Sequence, residues 1–484
     1  MDRSEEKSEC RMTLESNQTA WLPDLIYTGD GRFAHDVALV CDEAGRITEL
    51  THLDHINCQI VRLKNRALLP GLVNAHSHAF QRVIRGRTEY RTHEKDSFWT
   101  WREQMYDAAG RLTPPDIYDA SRMAFLEMVS SGITAVGEFH YLHHAPDGKS
   151  YDDPNEMAKW VVRAARDTGL RIALLRVAYA RSGFQVAPNE NQKRFIEPDA
   201  ELYLTRVEDL RRASVEDEKS WVGVAPHSVR AVPLDFLKEV AAYAQAHALP
   251  LHMHVAEQPA EVAACFAEYK RTPVELLTDE KILHERFTAV HGVHITSAEV
   301  QMLARNSSFV CACPTTERNL GDGVVPADLL FREGVRIALG TDSQTQINLL
   351  EDARELEYHL RLQKLERNVL AKSVDDETSD ASLSTLAAKL FACATQHGAA
   401  SIRARESGTL ARNMRADFFT VDLDDLSIAG ASTDALLANI VFSLARTAVR
   451  EVCVGGKLIV KDGHHQLEHE IVEKFAHLQK RLWS

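Results

Sequence analysis

The sequence predicts an α/β protein: a (β/α)8 TIM barrel accompanied by a small composite β-sandwich domain that both chain ends form together. Three observations lead to this prediction. The 484 residues, 45% of them apolar, are enough for one large core and one smaller core. Apolar strand-like runs alternate with helical periodicity through the middle of the chain, and short β-rich segments separated by turn residues occupy both flanks.

Eight apolar runs are the candidates for the barrel strands. Helical periodicity fills most of the intervals between them, for instance at 115–130, 157–167, 233–248 and 297–305, so repeated βα units with parallel strands are the economical topology. In such a barrel, the carboxyl ends of the strands carry the functional groups. The eight runs are 67–69, 134–137, 171–178, 222–225, 251–255, 288–291, 309–313 and 335–339.

The two flanks share a sequence pattern that differs from that of the middle of the chain. Short apolar segments at 25–28, 37–40 and 47–50 lie between the turn strings GDG and DEAG, and similar segments return at 417–423 and 449–460. Neither flank is large enough to close a core alone, so we expect one sandwich built from both. The predicted division is 1–70 for the amino-terminal part of the sandwich, 71–404 for a metal-dependent barrel, and 405–484 for the carboxyl-terminal part with a terminal helix.

The charge balance excludes some classes of partner. With 56 basic and 70 acidic side chains, the net charge of −14 disfavours nucleic acid and anionic membrane surfaces. The eight cysteines are thinly spread, which is typical of reduced thiols, and the polar segment 1–18 lacks an apolar signal core. We therefore expect a cytoplasmic protein, a homodimer, whose partner is a small molecule.

Four side chains that bind divalent metals follow predicted barrel strands. His76 and His78 alternate at the end of the first strand, His254 lies on the fifth, and Asp342 follows the eighth in the string GTD. Three imidazoles and a carboxylate suit zinc, whereas a purely structural role would need a separate explanation for each group. His291 ends the sixth strand, where an unpaired core imidazole is unfavourable, so we expect it beside the metal.

The string LPGLVNAHSHAFQR and the placement of these groups resemble the amidohydrolase superfamily. The flanking strings GTLARNMRADFFTVD and VREVCVGGKLIV extend the resemblance over nearly the whole chain. It implies one Zn2+ per chain, replaceable by another divalent metal, because the bridging lysine of binuclear members has no counterpart at 222–227. It further implies that Glu257 shuttles protons and that His291 and Asp342 act on the water that the metal polarises.

Six longer strings resemble the formimidoylglutamate deiminases: HSHAFQR, DSFWTWREQMY, GEFHYLHH, APHSVRAVP, CPTTERNLGDG and GTDSQ. The implied reaction hydrolyses the formimino C=N group of N-formimino-L-glutamate, in histidine degradation, to N-formyl-L-glutamate and ammonia. The substrate is a dicarboxylate, for which two arginines offer planar forks. The resemblance assigns substrate contacts to Gln81, Arg102, Tyr141, His227 and Arg230.

Two other functions remain open. An amidohydrolase-type ring deaminase acting on a purine, pyrimidine or triazine would use the same metal set and Glu257, although the two arginines favour the dicarboxylate. A catalytically inactive barrel kept for assembly is disfavoured by the complete ligand set. We assign no chemistry to His143 and His144, which we expect to face solvent, or to Trp99 and Trp101, which we expect to pack a loop.

Overall fold

The structure, a computed structural model, describes residues 17–90, 98–214, 217–371 and 385–484. All but the last two residues of the polar amino-terminal segment lie outside this part of the chain. Within the described residues, seven cysteines are free and buried. None of the described helices is long and apolar enough to cross a lipid bilayer.

Five strands precede the barrel. The first hairpin turns at Gly29 and Gly31, whose φ angles of +107° and +79° lie in the region that favours glycine. The third strand is buried along its whole length, so this flank already contributes to a core. The strands are β1 (Thr19–Gly29), β2 (Arg32–Ala34), β3 (Val37–Cys41), β4 (Ile47–His52) and β5 (Gln59–Pro70).

Eight parallel strands in the described chain form the predicted barrel, each hydrogen-bonded to its neighbour in chain order. A single parallel bridge between Ser77 and Asp342 joins the first strand to the end of the last. Nearly all of their residues are buried, as expected for strands that helices cover. The strands are β6 (Leu72–Ser77), β7 (Ile133–His140), β8 (Arg171–Ala178), β9 (Ser220–Pro226), β10 (Leu251–Val255), β11 (Phe287–His291), β12 (Phe309–Ala312) and β13 (Arg336–Leu339).

Helices connect and follow the strands. Several begin at a threonine whose side chain and an acidic residue three positions later form a capping box, as at Thr113, Thr272 and Thr296. The helices are α1 (Phe98–Arg111), α2 (Pro114–Val129), α3 (Glu156–Thr168), α4 (Ala200–Ala213), α5 (Leu234–Ala246), α6 (Pro259–Tyr269), α7 (Pro273–Asp279), α8 (Ser297–Arg305), α9 (Pro314–Leu320), α10 (Ala327–Arg332), α11 (Leu349–Lys364), α12 (Thr385–Ala392), α13 (Gly398–Ser401), α14 (Leu436–Ser443) and α15 (Glu468–Trp483).

The strands of both flanks form one sheet, in the order β17-β16-β15-β14-β5-β1-β3-β4 with β2 paired to β1. Strand β14 lies between β5 and β15 and runs antiparallel to both, with Phe418 opposite Pro70. The rings of Trp21 and Phe418, one from each flank, pack edge to face at 5.4 Å. The predicted composite domain is therefore confirmed. Its last strands are β14 (Phe418–Asp422), β15 (Val449–Val454), β16 (Lys457–Lys461) and β17 (His464–His465).

One predicted barrel strand is wrong. Residues 67–69 belong to β5 of the flanking sheet, and the first barrel strand is β6. The apolar end of β5, residues 67–70, runs directly into β6 and only Gly71 separates them, so periodicity alone does not divide the two strands. A Cβ atom at Gly71 would lie 2.2 Å from Oγ1 of Thr134, so the chain passes between the two sheets at a position where only glycine fits.

Candidate metal centre and active-site pocket

The four predicted metal ligands meet at the carboxyl end of the barrel. His76 lies on β6 with His78 just beyond it, His254 lies on β10, and Asp342 follows β13. All four side chains are buried, and one donor atom from each lies within 4.8 Å of the others. The distances from Oδ1 of Asp342 to Nε2 of His76 and of His78 are 3.5 Å and 3.2 Å.

The hydrogen bonds around the imidazoles fix which nitrogen faces the centre. Nδ1 of His78 lies 2.9 Å from the carbonyl oxygen of Phe139, and Nδ1 of His254 lies 3.1 Å from that of His227. Because carbonyls only accept, these Nδ1 atoms donate, which leaves Nε2 of each neutral ring with a lone pair. Two lone pairs and a carboxylate directed at one point repel each other unless a cation lies among them, so the donor set fits a metal ion.

The ionisation of the cluster also suits a cation. Burial lowers the pKa of His76 to about 3, and burial lowers the pKa of His254 well below the usual value. Both rings are therefore neutral near pH 7. Burial raises the pKa of Asp342, but the neighbouring His76 and His78 rings outweigh it and bring the pKa well below its usual range. Neutral imidazoles and an ionised carboxylate are the protonation states in which these groups bind metals.

His291 and Glu257 face each other beside the cluster. Nε2 of His291 lies 3.6 Å from Oε1 of Glu257 and 3.7 Å from Oδ2 of Asp342. Its Nδ1 lies 3.3 Å from Oε1 of Glu317, which fixes the orientation of the ring. Burial lowers the pKa of His291, but the carboxylates of Glu257, Glu317 and Asp342 outweigh it and raise this pKa well above its usual value. The cluster of His291, Glu257 and Asp342 can therefore exchange a proton.

Glu257 is held in place by a strained backbone. It follows Ala256, whose φ of +52° is uncommon for a residue with a side chain, and its own N–H donates to Oε2 of Glu261 at 3.3 Å. His291 also has a positive φ, of +72°. Burial raises the pKa of Glu257, with Asp342 adding to the effect and His291 opposing it. A carboxyl with a raised pKa suits proton transfer near neutral pH.

The cluster opens into a cleft with about 490 Å³ of empty space. Every predicted site residue except His76 lines this pocket; His76 lies behind His78 and is fully buried. The remaining lining residues are Phe98, Trp101, Met105, Tyr106, Tyr179 and Leu320.

Two arginines form one end of the pocket. Neither Arg102 nor Arg230 makes an ion pair within the described residues, and Nε and Nη1 of Arg102 have no hydrogen-bond partner there. The Arg102 guanidinium lies over the Trp99 ring at 4.5 Å. Trp99 therefore supports a pocket residue, and Trp101 lines the pocket itself. Both lie on helix α1, so the expectation that they pack a loop is wrong. Two guanidinium groups that make no ion pair in the described chain indicate an anionic ligand.

Hydrogen-bond acceptors lie nearer the metal cluster. Nε2 of Gln81 donates to the hydroxyl of Tyr141 at 2.8 Å, while Oε1 of Gln81 is buried without a partner among the described residues. Nδ1 of His227 lies 3.2 Å from the Ser228 hydroxyl. Burial lowers the pKa of His227 well below its usual value, and Arg230 adds to the effect. The pocket thus combines two guanidinium groups with neutral polar groups and carboxylates.

His143 and His144 are buried, so the expectation that they face solvent is wrong. Their backbone N–H groups both donate to the carbonyl of Arg194 at 3.0 Å. Nε2 of His143 lies 2.9 Å from the Val177 carbonyl, and Nε2 of His144 lies 2.8 Å from the Ile196 carbonyl. The loop after β7 therefore folds against the segment around 194–196, a long-range contact that local sequence does not indicate.

Comparison with known proteins agrees with this geometry. The sequence model of a family described as the amidohydrolase family matches residues 67–459. The chain belongs to the amidohydrolase family. It is a hydrolase that acts on C–N bonds.

Three relatives illustrate the range of the likeness. This amidohydrolase is 38% identical over 417 residues to a formimidoylglutamate deiminase from Pseudomonas aeruginosa, covering 86% of this chain and 89% of that protein. The crystal structure of an amidohydrolase from Brucella melitensis is 33% identical, with a TM-score of 0.86 and coverage of 96% and 100%. An adenosine deaminase from Xanthomonas campestris, solved with bound zinc, shares the fold at 21% identity, with a TM-score of 0.79 and coverage of 96% and 98%.

Sequence reasoning missed several buried groups of this amidohydrolase. Glu138 on β7 accepts hydrogen bonds from the Ser77 hydroxyl at 2.6 Å and the Ala79 N–H at 2.7 Å, and so holds the chain on both sides of His78. Glu317 accepts from the Cys313 N–H at 2.9 Å as well as facing His291, which accounts for the clustering of these three residues without a second metal. Both glutamates lie in strings already singled out, GEFHYLHH and CPTTERNLGDG, which was the available signal.

Proposed function

We propose that this amidohydrolase hydrolyses the formimino C=N group of N-formimino-L-glutamate, in histidine degradation, to give N-formyl-L-glutamate and ammonia. The composition of the pocket carries the proposal: two arginines without ion pairs and acceptor groups beside the metal cluster line the same cavity. A linear amidine with two carboxylates matches both sets of groups. The 38% identity to the Pseudomonas aeruginosa formimidoylglutamate deiminase supports the same substrate.

Different pocket residues bind different parts of this substrate. Arg102 and Arg230 bind the two carboxylates through planar forks. Oε1 of Gln81, buried and without a partner in the described chain, accepts an N–H of the amidine. Tyr141 and His227 supply further neutral hydrogen bonds beside it. Together they hold the formimino carbon at the metal cluster in one orientation.

The metal ligands in this proposal are His76, His78, His254 and Asp342, holding one zinc ion. The residue after β9 is His227, so the chain offers no lysine there to bridge a second ion. Zinc bound in the adenosine deaminase of the same fold is consistent with this identity. When bound, the metal supplies a nucleophile at neutral pH, because coordination lowers the pKa of water from 15.7 to about 7.

Two side chains move the protons. Nε2 of His291, close to both Asp342 and Glu257, holds the attacking water, and these two carboxylates accept its proton. Addition of water to the formimino carbon, with this proton passing through Glu257 to the imino nitrogen, gives a tetrahedral centre. The hydroxyl of that centre then loses its proton, which the carboxyl of Glu257 delivers to the departing nitrogen. The C–N bond breaks as the C=O bond forms, and neutral ammonia leaves.

The proposed chemistry also concerns the partner of the enzyme. A small dicarboxylate is the partner, and the net charge of −14 opposes binding to nucleic acid. The homodimer and the cytoplasmic location stay predictions. Size-exclusion chromatography with light scattering measures the first, and fractionation of the native host measures the second.

Ammonia release tests the proposed substrate. Purified protein with its metal content measured is offered N-formimino-L-glutamate, N-formimino-L-aspartate, guanine, adenosine and cytosine at equal concentrations. We expect the largest kcat/KM for a formimino dicarboxylate, with one equivalent of N-formyl product for each ammonia. Turnover of a ring substrate at a higher kcat/KM than either linear amidine would replace this proposal with the ring deaminase.

A further inference from the structure

A fixed hydrogen-bond chain lies behind the arginine end of the pocket. It consists of Gln192, which is fully buried, and the hydroxyls of Tyr106 and Tyr179, which line the pocket. Nε2 of Gln192 lies 3.1 Å from the Tyr106 oxygen and 2.9 Å from the Tyr179 oxygen. The two phenol oxygens are 3.3 Å apart. None of these three residues has a role in the function proposed above.

The orientation of the Gln192 amide follows from its other neighbours. Its Oε1 accepts from the Ser182 hydroxyl and faces the backbone N–H of Asn189 at 3.5 Å. That N–H also donates to the Ser182 hydroxyl oxygen at 3.1 Å, and the Gln192 side chain completes a capping box at Asn189 through its oxygen, which leaves the amide nitrogen facing the tyrosines. Both N–H bonds of the Gln192 amide therefore reach phenol oxygens.

The direction of the remaining protons is then determined. The Tyr179 oxygen accepts from Gln192 and lies close to the Arg230 guanidinium, whose positive charge turns the Tyr179 proton away. This proton therefore goes to the Tyr106 oxygen, 3.3 Å away. The Tyr106 oxygen thus accepts from both Gln192 and Tyr179. No acceptor remains within this group of hydrogen bonds for the Tyr106 proton. The open side of the Tyr106 hydroxyl faces the pocket, so the proton points there.

We propose that Tyr106 donates a hydrogen bond to the substrate carboxylate beside Arg230, and that Gln192 is the positioning residue that turns this proton toward the pocket. The inference rests on the proposed function and specifies how its substrate is selected. Burial raises the pKa of the Tyr106 hydroxyl, so it stays protonated as a donor at neutral pH. A carboxylate offers only lone pairs to this donor and to Arg230, whereas a carboxamide would turn N–H bonds toward them.

Tyr106→Phe removes the donor and keeps the ring. We expect kcat/KM for N-formimino-L-glutamate to fall about 10- to 100-fold, mainly through KM, which is the range of a hydrogen bond to a charged group. The ratio of kcat/KM for this substrate to kcat/KM for either of its two monoamides should decrease. Tyr203→Phe is the matched control, because its buried hydroxyl donates to the Arg176 carbonyl away from the pocket. We expect that control to lower thermal stability without changing KM.

Gln192→Glu tests the positioning role. A carboxylate there accepts from both phenols, so the Tyr106 proton turns away from the pocket. We expect a loss close to that of Tyr106→Phe, and little further loss when the two substitutions are combined, because both remove the same contact. Fully additive losses would mean that the introduced charge acts directly on the substrate, which would contradict the positioning role.

Binding of glutarate and of its monoamide by the metal-loaded protein, measured by calorimetry, separates this inference from the proposed function. If wild type does not turn over N-formimino-L-glutamate, the proposed function is wrong, and glutarate still tests the donor. We expect Tyr106→Phe to raise the Kd of glutarate about 10- to 100-fold and the Kd of the monoamide less. A glutarate Kd within twofold of wild type, with normal metal content and melting temperature, would overturn the role of Tyr106.

Discussion

Glu257 and His291 lie 3.6 Å apart at the carboxyl end of the barrel, and both have a positive-φ backbone at or next to them. Such conformations persist only where the surrounding structure enforces them. The strain therefore serves the placement of the two groups that, in the proposed mechanism, hold the attacking water and transfer its proton. Substitutions that keep the shape of these side chains isolate their proton chemistry from the fold.

Glu257→Gln keeps the shape and removes the transferable proton. We expect kcat to fall by about 10² to 10⁴, since the departing nitrogen would leave unprotonated, while metal content and KM change little. Steady-state ammonia release and metal analysis measure this. Turnover at the wild-type rate would show that Glu257 does not deliver the proton.

Arg230→Lys replaces a fork by a point charge at the carboxylate end of the pocket. We expect a loss of roughly 2 to 5 kcal/mol in transition-state binding, read from kcat/KM for the dicarboxylate. Arg122→Lys is the control, because that guanidinium pairs with Glu470 outside the pocket. Near-normal activity of an Arg230→Met variant on the dicarboxylate would move the substrate assignment toward a ring compound.

The metal ligands were predictable from the sequence because each follows an apolar run that is recognisable as a strand. Glu138 and Gln192 were not, because their importance comes from partners 61 residues and 86 residues away in the chain. The role of Arg102 was predictable only in part. Its residue type pointed to a carboxylate, but only the structure gives the stacking on Trp99 and the absence of a counter-charge in the described residues.

Among the elements, α11 carries a buried carboxyl that links it to α9. Oδ1 of Asp352 accepts from the N–H and the hydroxyl of Thr315 at 3.1 Å and 2.8 Å. Burial nevertheless raises the pKa of Asp352 to about 8, because these bonds compensate only part of the desolvation. Oδ2 has no partner in the described part of the chain, which leaves a place for the proton.

This carboxyl should make stability depend on pH. The folded-state pKa of about 8 lies above the unfolded value of about 3.9, so the folded protein binds the proton more tightly. The free energy of unfolding should therefore decrease as the pH rises from about 4 through 8. Asp352→Asn needs no proton, so we expect its melting temperature to change less between pH 6 and pH 9, in zinc-saturated protein. If the melting temperatures of variant and wild type changed equally with pH, this prediction would be contradicted.

The barrel strands were predictable to within a few residues because their apolar runs are bounded by turn residues, and two of them, β8 and β10, coincide with the predicted ranges. The exception, 67–69, shows the limit of periodicity. The last four residues of β5 are as buried as β6, and the division between the sheets depends on the close contact of Gly71 with Thr134.

At the scale of the whole molecule, the metal cluster joins strands that are distant in the barrel order. It connects β6, β10 and β13, while β6 and β13 are themselves joined by one backbone bridge. A ligand that binds only the folded state stabilises it by mass action, about 4.1 kcal/mol at a free concentration 1,000 times the Kd. We therefore expect metal to contribute to global stability as well as to catalysis.

Chelation tests this contribution. Removal of metal should lower the melting temperature by several degrees, and added zinc should restore both the melting temperature and ammonia release. His254→Ala should abolish the zinc-dependent shift. Equal melting temperatures with and without metal in wild-type protein would mean that the four groups do not hold a stabilising ion.

The composite nature of the flanking domain was also predictable, because each flank is too small for a core. The order of its strands was not, since the pairing of β14 with β5 depends on contacts across most of the chain. The boundaries at 70/71 and 404/405 stay predictions. Limited proteolysis of the folded protein, with cleavage sites read by mass spectrometry, measures where the units separate.

The pairing of β5 with β14 has a consequence for synthesis on the ribosome. Strand β5 ends at Pro70, and β14, which pairs with its outer edge, begins at Phe418. That edge of the amino-terminal strands therefore has no partner while almost the whole barrel is translated. At roughly 5 to 20 residues per second, that interval lasts about 20 to 70 s. An unpaired strand edge readily captures another chain. The nascent polypeptide is therefore most prone to aggregate before the carboxyl-terminal strands emerge, and chaperone demand should peak in that window.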